Sequence, residues 1–289
     1  MSARRSEFRQ DPVTGRWVII APERADRPIL EPRSVAPPSD DLFCPFCAGF
    51  EYETPGEVLA FRQPGSPPDQ PGWRVRVVPN RYPAVRPADG VGPPRSPSPE
   101  GALPDAGEEN PAAGTPPFLF RSVPGCGAHE VIIESPEHET QLSRLPAAHV
   151  AEVLRAYRDR LRFHARDPGL AYGLVFKNSG AAAGASLEHL HSQLVALPFV
   201  PPAVREELDG AARYLAARGR CVFCEMLAAE REAGLRTVRE WPRFAAFAPF
   251  ASRFTYETWL LPRAHRPRFE DTPDEELPEL ADALRTVLA

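Results

Sequence analysis

No stretch of this 289-residue sequence is apolar for anything near the roughly 20 residues that a bilayer-spanning helix needs. The N-terminus, Met1-Ser2-Ala3-Arg4-Arg5, is charged, but no apolar segment follows it, so it does not read as a secretory signal. Excess charge of one sign is also lacking. The formal net charge is −5, which argues against a surface that coats nucleic acid and leaves room for a local basic pocket. These absences predict a soluble, cytoplasmic protein with no nucleic-acid or membrane partner. Cysteine is scarce too: of five, four form the C-x-x-C pairs Cys44/Cys47 and Cys221/Cys224, and Cys126 is left over. In a reducing compartment such pairs are more often metal ligands or redox centres than disulfides. A thioredoxin-like pair belongs between a strand and a helix, whereas Cys44-Pro45-Phe46-Cys47 follows a Pro/Asp-rich loop, which favours zinc.

The hydrophobic share, 43%, is ordinary, and the length allows one large domain or two smaller ones. The 36 prolines are unevenly placed. Residues 86–117 are rich in Pro, Gly, Ala, Glu and Ser and are predicted to be a disordered insertion, since they cannot bury enough surface to offset chain ordering. A shorter Pro-rich stretch covers 32–41. Strands are predicted at 17–20, 75–78, 129–133, 172–176 and 193–197, and again at 245–249 and 258–261. Apolar residues at helical spacing, Val150, Val153, Leu154, Tyr157 and Leu161, predict a helix over 147–166, with further helices at 202–218 and 273–288.

The pattern repeats. Cys44-x-x-Cys47, strands, Ser135-Pro136-Glu137-His138, a helix and a His189/His191 loop are echoed by Cys221-x-x-Cys224, strands, Pro262-Arg263-Ala264-His265 and a helix. The second copy does not reach its own His-x-His loop, so it reads as incomplete. The expected organisation is a catalytic repeat at 1–200 and a partial repeat at 201–289.

The segment His189-Leu190-His191-Ser192-Gln193 carries the chemistry. Its two histidines are read as facing opposite ways, one on a metal and one on a substrate. By itself such a pair fits two unrelated surface histidines equally well. Upstream, Asn178 to Ser186 is a loop of small residues whose backbone N–H groups can approach a phosphate closely. Downstream, the Gln193 amide can donate to a phosphoryl oxygen.

Taken in order, Asp11 to Trp17, Arg24-Ala25-Asp26-Arg27-Pro28, Cys44 to Cys47, Ser135 to His138, Phe176-Lys177-Asn178-Ser179-Gly180 and the histidine loop resemble the galactose-1-phosphate uridylyltransferase branch of the histidine-triad superfamily. The resemblance runs from Phe8 to the C-terminus outside the insertion. It implies an α+β, histidine-triad-like duplicated fold, with antiparallel sheets and packed helices. It implies that His191 attacks the α-phosphorus of UDP-glucose, releases the sugar 1-phosphate, and passes UMP to galactose 1-phosphate or a similar hexose 1-phosphate. Gln193 stands where hydrolytic relatives have a third histidine, and it binds a phosphoryl oxygen without shuttling a proton. Arg24, Arg27, Asn80, Asn178 and Ser186 match nucleotide- and phosphate-contacting positions. Cys44, Cys47, His138 and His189 match a zinc set. Cys221, Cys224 and His265 occupy the equivalent places of a possible second metal, and Glu207, which aligns with a second-metal ligand of some members, is read as a solvated helix glutamate. The resemblance also implies a homodimer, in which the second half supplies sugar-phosphate contacts to the partner. Leu190 and Ser192 stand where the commonest loop has Pro and Gly, and the Ala183-Gly184-Ala185-Ser186 run with the His191-Ser192-Gln193 ending is similar to the plant ADP-glucose phosphorylases, so an ADP-sugar phosphorylase is the alternative. A non-catalytic, zinc-stabilised nucleotide-binding protein is the third reading.

Overall fold

The computed structural model describes residues 5–10, 17–26, 43–87, 122–185 and 187–289. Most of the Pro-rich insertion and the stretch 32–41 lie outside the described residues, as do Arg27 and Ser186. Among those described, the strands in chain order are β1 (Glu7–Gln10), β2 (Trp17–Ile20), β3 (Leu59–Arg62), β4 (Trp73–Pro79), β5 (Ser122–Pro124) and β6 (Ala128–Ile133). They continue with β7 (Tyr172–Phe176), β8 (His191–Leu197), β9 (Thr237–Glu240), β10 (Phe244–Phe247) and β11 (Trp259–Pro262). The helices are α1 (Ala147–His164), α2 (Pro202–Arg218), α3 (Val222–Ala233) and α4 (Leu277–Leu288). No helix among the described residues is long and apolar enough to cross a membrane.

The chain divides into two units, 1–140 with 160–202, and 141–159 with 203–289, so the division falls inside α1. The first unit contains a five-stranded sheet of order β3-β4-β6-β8-β7 and a three-stranded sheet of order β2-β1-β5. The strand pairings in both are antiparallel, as expected of an α+β protein. Between β6 and β8 the register sets Ile133 opposite His191, Val131 opposite Gln193 and His129 opposite Val195. Alternation along a strand then puts these six side chains on one face. That face is filled from outside by Phe46 and Ala48, which pack on Trp73, Val78, Val131 and Ile133. On the other face Glu130, at 5% exposure, accepts from Arg160 Nε of α1 at 2.8 Å and lies 2.9 Å from His164 Nε2. The smaller sheet closes over Phe8, Val85 and Leu197, with the Phe8 and Phe199 rings edge to face at 4.9 Å.

The second unit has a three-stranded antiparallel sheet of order β11-β10-β9, and Leu227 of α3 packs with Ala245, Phe247, Trp259 and Leu261. Gly234 ends α3 in the left-handed conformation, φ 65°, where a residue without a Cβ pays no steric penalty. Arg158 donates to the Thr272 carbonyl at 2.9 Å and pairs with Asp274 at 2.8 Å, fastening the start of α1 within this unit. Three sequence expectations are corrected here. Cys221-x-x-Cys224 opens helix α3 rather than leading directly into strands. The last helix begins at Leu277, because residues 274–276 form a separate 3-10 turn before Pro278. Strand β8 begins at His191, two residues earlier than expected.

Gly127, at the entrance to β6, tests the register. Its φ is +153°, and a Cβ there would lie 2.3 Å from the Ala196 carbonyl oxygen and 2.9 Å from Val85 Cγ2. Neither neighbour can withdraw, because Ala196 is paired in β8 and Val85 has no exposure. Gly127→Ala is expected to lower stability by about 3 kcal/mol, combining backbone strain and overpacking, as read from urea unfolding midpoints.

Candidate active site and metal centre

Three chain segments converge on the first cysteine pair. The turn carrying it is closed by a Cys47 N–H to Cys44 carbonyl bond, 3.2 Å, and tied to the next segment by Ala48 N–H to Pro136 carbonyl, 2.9 Å. Leu190 N–H donates to the Glu139 carbonyl at 2.7 Å, bringing the histidine loop against the segment that carries His138. The ligand atoms of Cys44, Cys47, His138 and His189 thereby come within 4.8 Å of one another. Sulfur to nitrogen distances are 3.5 Å from His189 Nδ1 to both Cys44 and Cys47, and 3.5 Å from Cys47 to His138 Nδ1. A tetrahedral ion with sulfur at about 2.3 Å and nitrogen at about 2.0 Å separates such ligands by roughly 3.5 Å, so the four residues fit a metal of that geometry.

The protonation states agree with that fit. His189 Nε2 lies 2.9 Å from the Ser135 carbonyl, which can only accept, so the ring proton is on Nε2 and the Nδ1 lone pair faces the thiols. Burial drives the His189 pKa down to about 4, outweighing the Ser135 contact, and His138 and His191 lower it further. Burial, with Cys44 alongside, pushes the Cys47 thiol up to about 12. Such a thiol stays protonated unless a cation takes the proton's place.

His191 is 8% exposed and lies at the start of β8. Strand alternation would set residues i and i+2 on one face. That corrects the reasoning behind the expected opposition of the two histidines. His189 points elsewhere because it lies in the loop before the strand. His191 Nδ1 is 2.8 Å from the His189 carbonyl, which fixes the proton on Nδ1 and the lone pair on Nε2. The Phe46 ring stands against His191 with centroids 5.2 Å apart. Ser192, on the opposite face, donates to Glu134 Oε1 at 2.5 Å. Glu134 is fully buried and takes Lys177, the one lysine in the sequence, at 2.7 Å, while Lys177 also donates to the His191 carbonyl at 3.0 Å.

Gln193 Oε1 lies 2.9 Å from His129 Nε2 and 3.5 Å from Asn80 Nδ2. Asn80 is thus brought to Gln193. Arg24 donates to the Tyr82 carbonyl, two residues further on. Asn178 is exposed and lines, with Lys177, Gly180 and His191, a small hollow of about 10 Å³. A larger hollow, about 430 Å³ and lined by Glu51, Tyr52, Thr54 and Asp69, includes none of the candidate site residues. Cys221, Cys224 and His265 come together in the second unit, with Cys224 Sγ 3.3 Å from His265 Nδ1. Glu207 is exposed on α2, as read. Sequence reasoning missed Glu134, Lys177 and the part of His129. A charged residue ending the apolar run Val131-Ile132-Ile133 was the available signal for Glu134.

The family model for galactose-1-phosphate uridyl transferase, N-terminal domain, matches residues 77–201. The chain is 36% identical to an ADP-glucose phosphorylase of Arabidopsis thaliana over 285 residues, covering 98% of this chain and 73% of that protein. It is 27% identical to a galactose-1-phosphate uridylyltransferase of Thermotoga maritima over 283 residues, covering 98% and 74%. Among solved structures, a uridylyltransferase superposes with a TM-score of 0.68 at 29% identity, covering 96% of this chain and 73% of that one. An Arabidopsis thaliana ADP-glucose phosphorylase with bound ADP-glucose gives 0.66 at 35% identity, covering 99% and 77%.

The His189 environment sets a pH dependence. A histidine whose folded pKa is depressed contributes stability in full above its unfolded value of 6.5, and that contribution is lost as pH falls toward about 4. Protein stripped of metal is expected to be about 2 kcal/mol less stable at pH 5 than at pH 7 through this residue. Urea midpoints at the two pH values measure it, and the same comparison in His189→Gln should show the loss reduced by that amount.

Proposed function

The chain belongs to the galactose-1-phosphate uridylyltransferase family, and from that premise we propose that it moves an adenylyl group from an ADP-sugar to inorganic phosphate through a covalent nucleotidyl-His191. The observation that carries the chemistry is the Nδ1–H to His189 carbonyl bond, which presents Nε2 as the nucleophilic nitrogen. The Nε2 lone pair forms a bond to the α-phosphorus as the bond to the bridging oxygen breaks, and the sugar 1-phosphate leaves with that oxygen. The imidazole then bears positive charge, and its Nδ1–H is already directed at a carbonyl that favours the charged ring. In the second step a phosphate oxygen attacks the same phosphorus, the N–P bond breaks, and neutral imidazole returns. A sugar phosphate is a good leaving group, so no proton need be delivered, and Gln193 suffices where a general acid would otherwise stand. Its amide, with Arg24, Asn80 and Asn178, is assigned to the nucleotide and its phosphates; Arg27 and Ser186 keep the same assignment from sequence.

The adenine base and phosphate acceptor rest on the Ala183-Gly184-Ala185-Ser186 run and the His191-Ser192-Gln193 ending, which resemble the plant ADP-glucose phosphorylases, and on the identity to the Arabidopsis protein. The second reading, UMP transfer from UDP-glucose to galactose 1-phosphate, is favoured by the Thermotoga relative and the family model. We assign zinc to Cys44, Cys47, His138 and His189, where thiolates and neutral imidazoles suit it. Bound there, it supplies cross-linking of three segments. Cys221, Cys224 and His265 are assigned to a second ion.

Incubation with ADP-glucose or UDP-glucose labelled at the α-phosphorus should give an acid-labile, base-stable adduct, absent in His191→Ala. Labelling from ADP-glucose should exceed that from UDP-glucose by at least about tenfold, since a base-specific hydrogen-bonding site discriminates at this level or above. Added phosphate should release labelled ADP. The reverse preference, with discharge by galactose 1-phosphate, would establish the second reading, and no adduct from either donor at stoichiometric enzyme would sink both. Chelation should remove zinc measured by plasma mass spectrometry and lower the unfolding midpoint by on the order of 10 °C.

A further inference from the structure

An amide has two ends of nearly equal size, and only one of them donates. If Gln193 binds a phosphoryl oxygen at His191, its nitrogen must face that way. We propose that His129 is the positioning residue that decides this, holding the Gln193 oxygen and so turning the amide N–H group toward His191. The inference rests on the nucleotidyl-transfer reading for its purpose, and on the structure alone for its geometry.

The assignment begins at a backbone N–H, which cannot be reversed. Ala84 N–H points to His129 Nδ1 at 2.9 Å, so Nδ1 bears the lone pair and the imidazole proton is on Nε2. That Nε2–H then donates to Gln193 Oε1 at 2.9 Å. A second backbone group fixes Asn80: Tyr82 N–H donates to its Oδ1 at 2.9 Å, which turns its Nδ2 inward, 3.5 Å from the same Gln193 oxygen. The 3.1 Å approach of Asn80 Nδ2 to His129 Nε2 is then two donors converging on one acceptor, not a bond between them. Reversing the Gln193 amide would set three donors against one another with no acceptor among them. His129 is 6% exposed, so solvent does not readily stand in for the missing partner.

The register supplies the direction. His129 is opposite Val195, Val131 opposite Gln193 and Ile133 opposite His191. Along the sheet, His129 and His191 therefore flank Gln193 from opposite sides. An oxygen drawn to the His129 side leaves the nitrogen on the His191 side.

The test uses single-turnover formation of the labelled nucleotidyl-enzyme. Gln193→Ala should slow it about 100-fold, the usual scale for losing one transition-state donor. His129→Glu offers only an acceptor and should draw the Gln193 nitrogen away, giving a rate within about threefold of Gln193→Ala. His129→Gln can accept from Ala84 and donate to Gln193, and should stay within about threefold of wild type. In the Gln193→Ala background, His129→Glu should add nothing. Additive losses in the double variant, or His129→Gln as slow as His129→Glu, would overturn the proposal. Long-range 1H–15N spectra of the ligand-free wild type should show the His129 proton on Nε2, and a proton on Nδ1 would overturn it independently of any turnover. Absence of adduct in wild type would count against the nucleotidyl-transfer reading, and the spectra would still decide the tautomer.

Discussion

The backbone carbonyl of His189 accepts the Nδ1–H of His191 at 2.8 Å while the ring of His189 is held between the Ser135 carbonyl and two thiols. One residue thereby joins the Cys44/Cys47/His138/His189 cluster to His191, the proposed nucleophile. Any rotation of the His189 peptide would move the carbonyl that sets the His191 tautomer, and any loosening of the cysteine pair would free the ring that restrains the peptide. The rest of the first unit serves this link. The Cys44–Cys47 turn brings Phe46 against both histidine rings, and Leu190 N–H, bonded to the Glu139 carbonyl, prevents the loop from lifting. On the proposed reading, a metal held by this cluster would act on catalysis only through that link, without taking part in any bond change.

The five-stranded sheet separates its polar groups by face. His191, Gln193 and His129 share one side, whereas Ser192, Glu134 and Glu130 are on the other. Buried charge on that second side is costly unless each group is paired. Glu130 meets the requirement with Arg160 and His164. Burial pushes its carboxyl pKa up, but the His164 and Arg160 hydrogen bonds outweigh that and hold it below the usual value. Glu134 meets it with Ser192 and Lys177. Lys177 reaches on to the His191 carbonyl, so the charge pair on the far side braces the backbone of His191. The serine before Gln193 is thus part of a support that a glycine at that position would lack.

How much of this was legible in the sequence depends on whether the signal is local. Strands β4, β6 and β7 and helices α1 and α2 are read well, because apolar runs and helical spacing are properties of a single segment. That Cys44, Cys47, His138 and His189 come together is read from motif order. Helix α3 is missed because Cys221-x-x-Cys224 suggests a turn, yet the Ala- and Glu-rich residues that follow have high helix propensity. Strands β3 and β9, Leu59-Ala60-Phe61-Arg62 and Thr237-Val238-Arg239-Glu240, are four residues each and too short to show alternation. The sequence places His129 at the start of a strand and near the site but gives it no partner. Its partners are separated from it by 49 and 64 residues, and only cross-strand register brings them together.

That register also bears on why, on the proposed reading, the site would transfer rather than hydrolyse. A hydrolase must activate water and benefits from a group that gives and takes protons near the phosphorus. Here the residue beside the proposed nucleophile is an amide, and its oxygen is occupied by an imidazole N–H from β6. With the oxygen engaged, the amide offers the incoming nucleophile no base, and its nitrogen can only stabilise charge. The imidazole that could have served as a general base is itself committed, because Ala84 N–H takes its Nδ1 lone pair. A phosphate oxygen needs no such base to attack, whereas water does. On the proposed reading, the hydrogen bonds of His129 would therefore favour an anionic acceptor over water without any group that repels water directly.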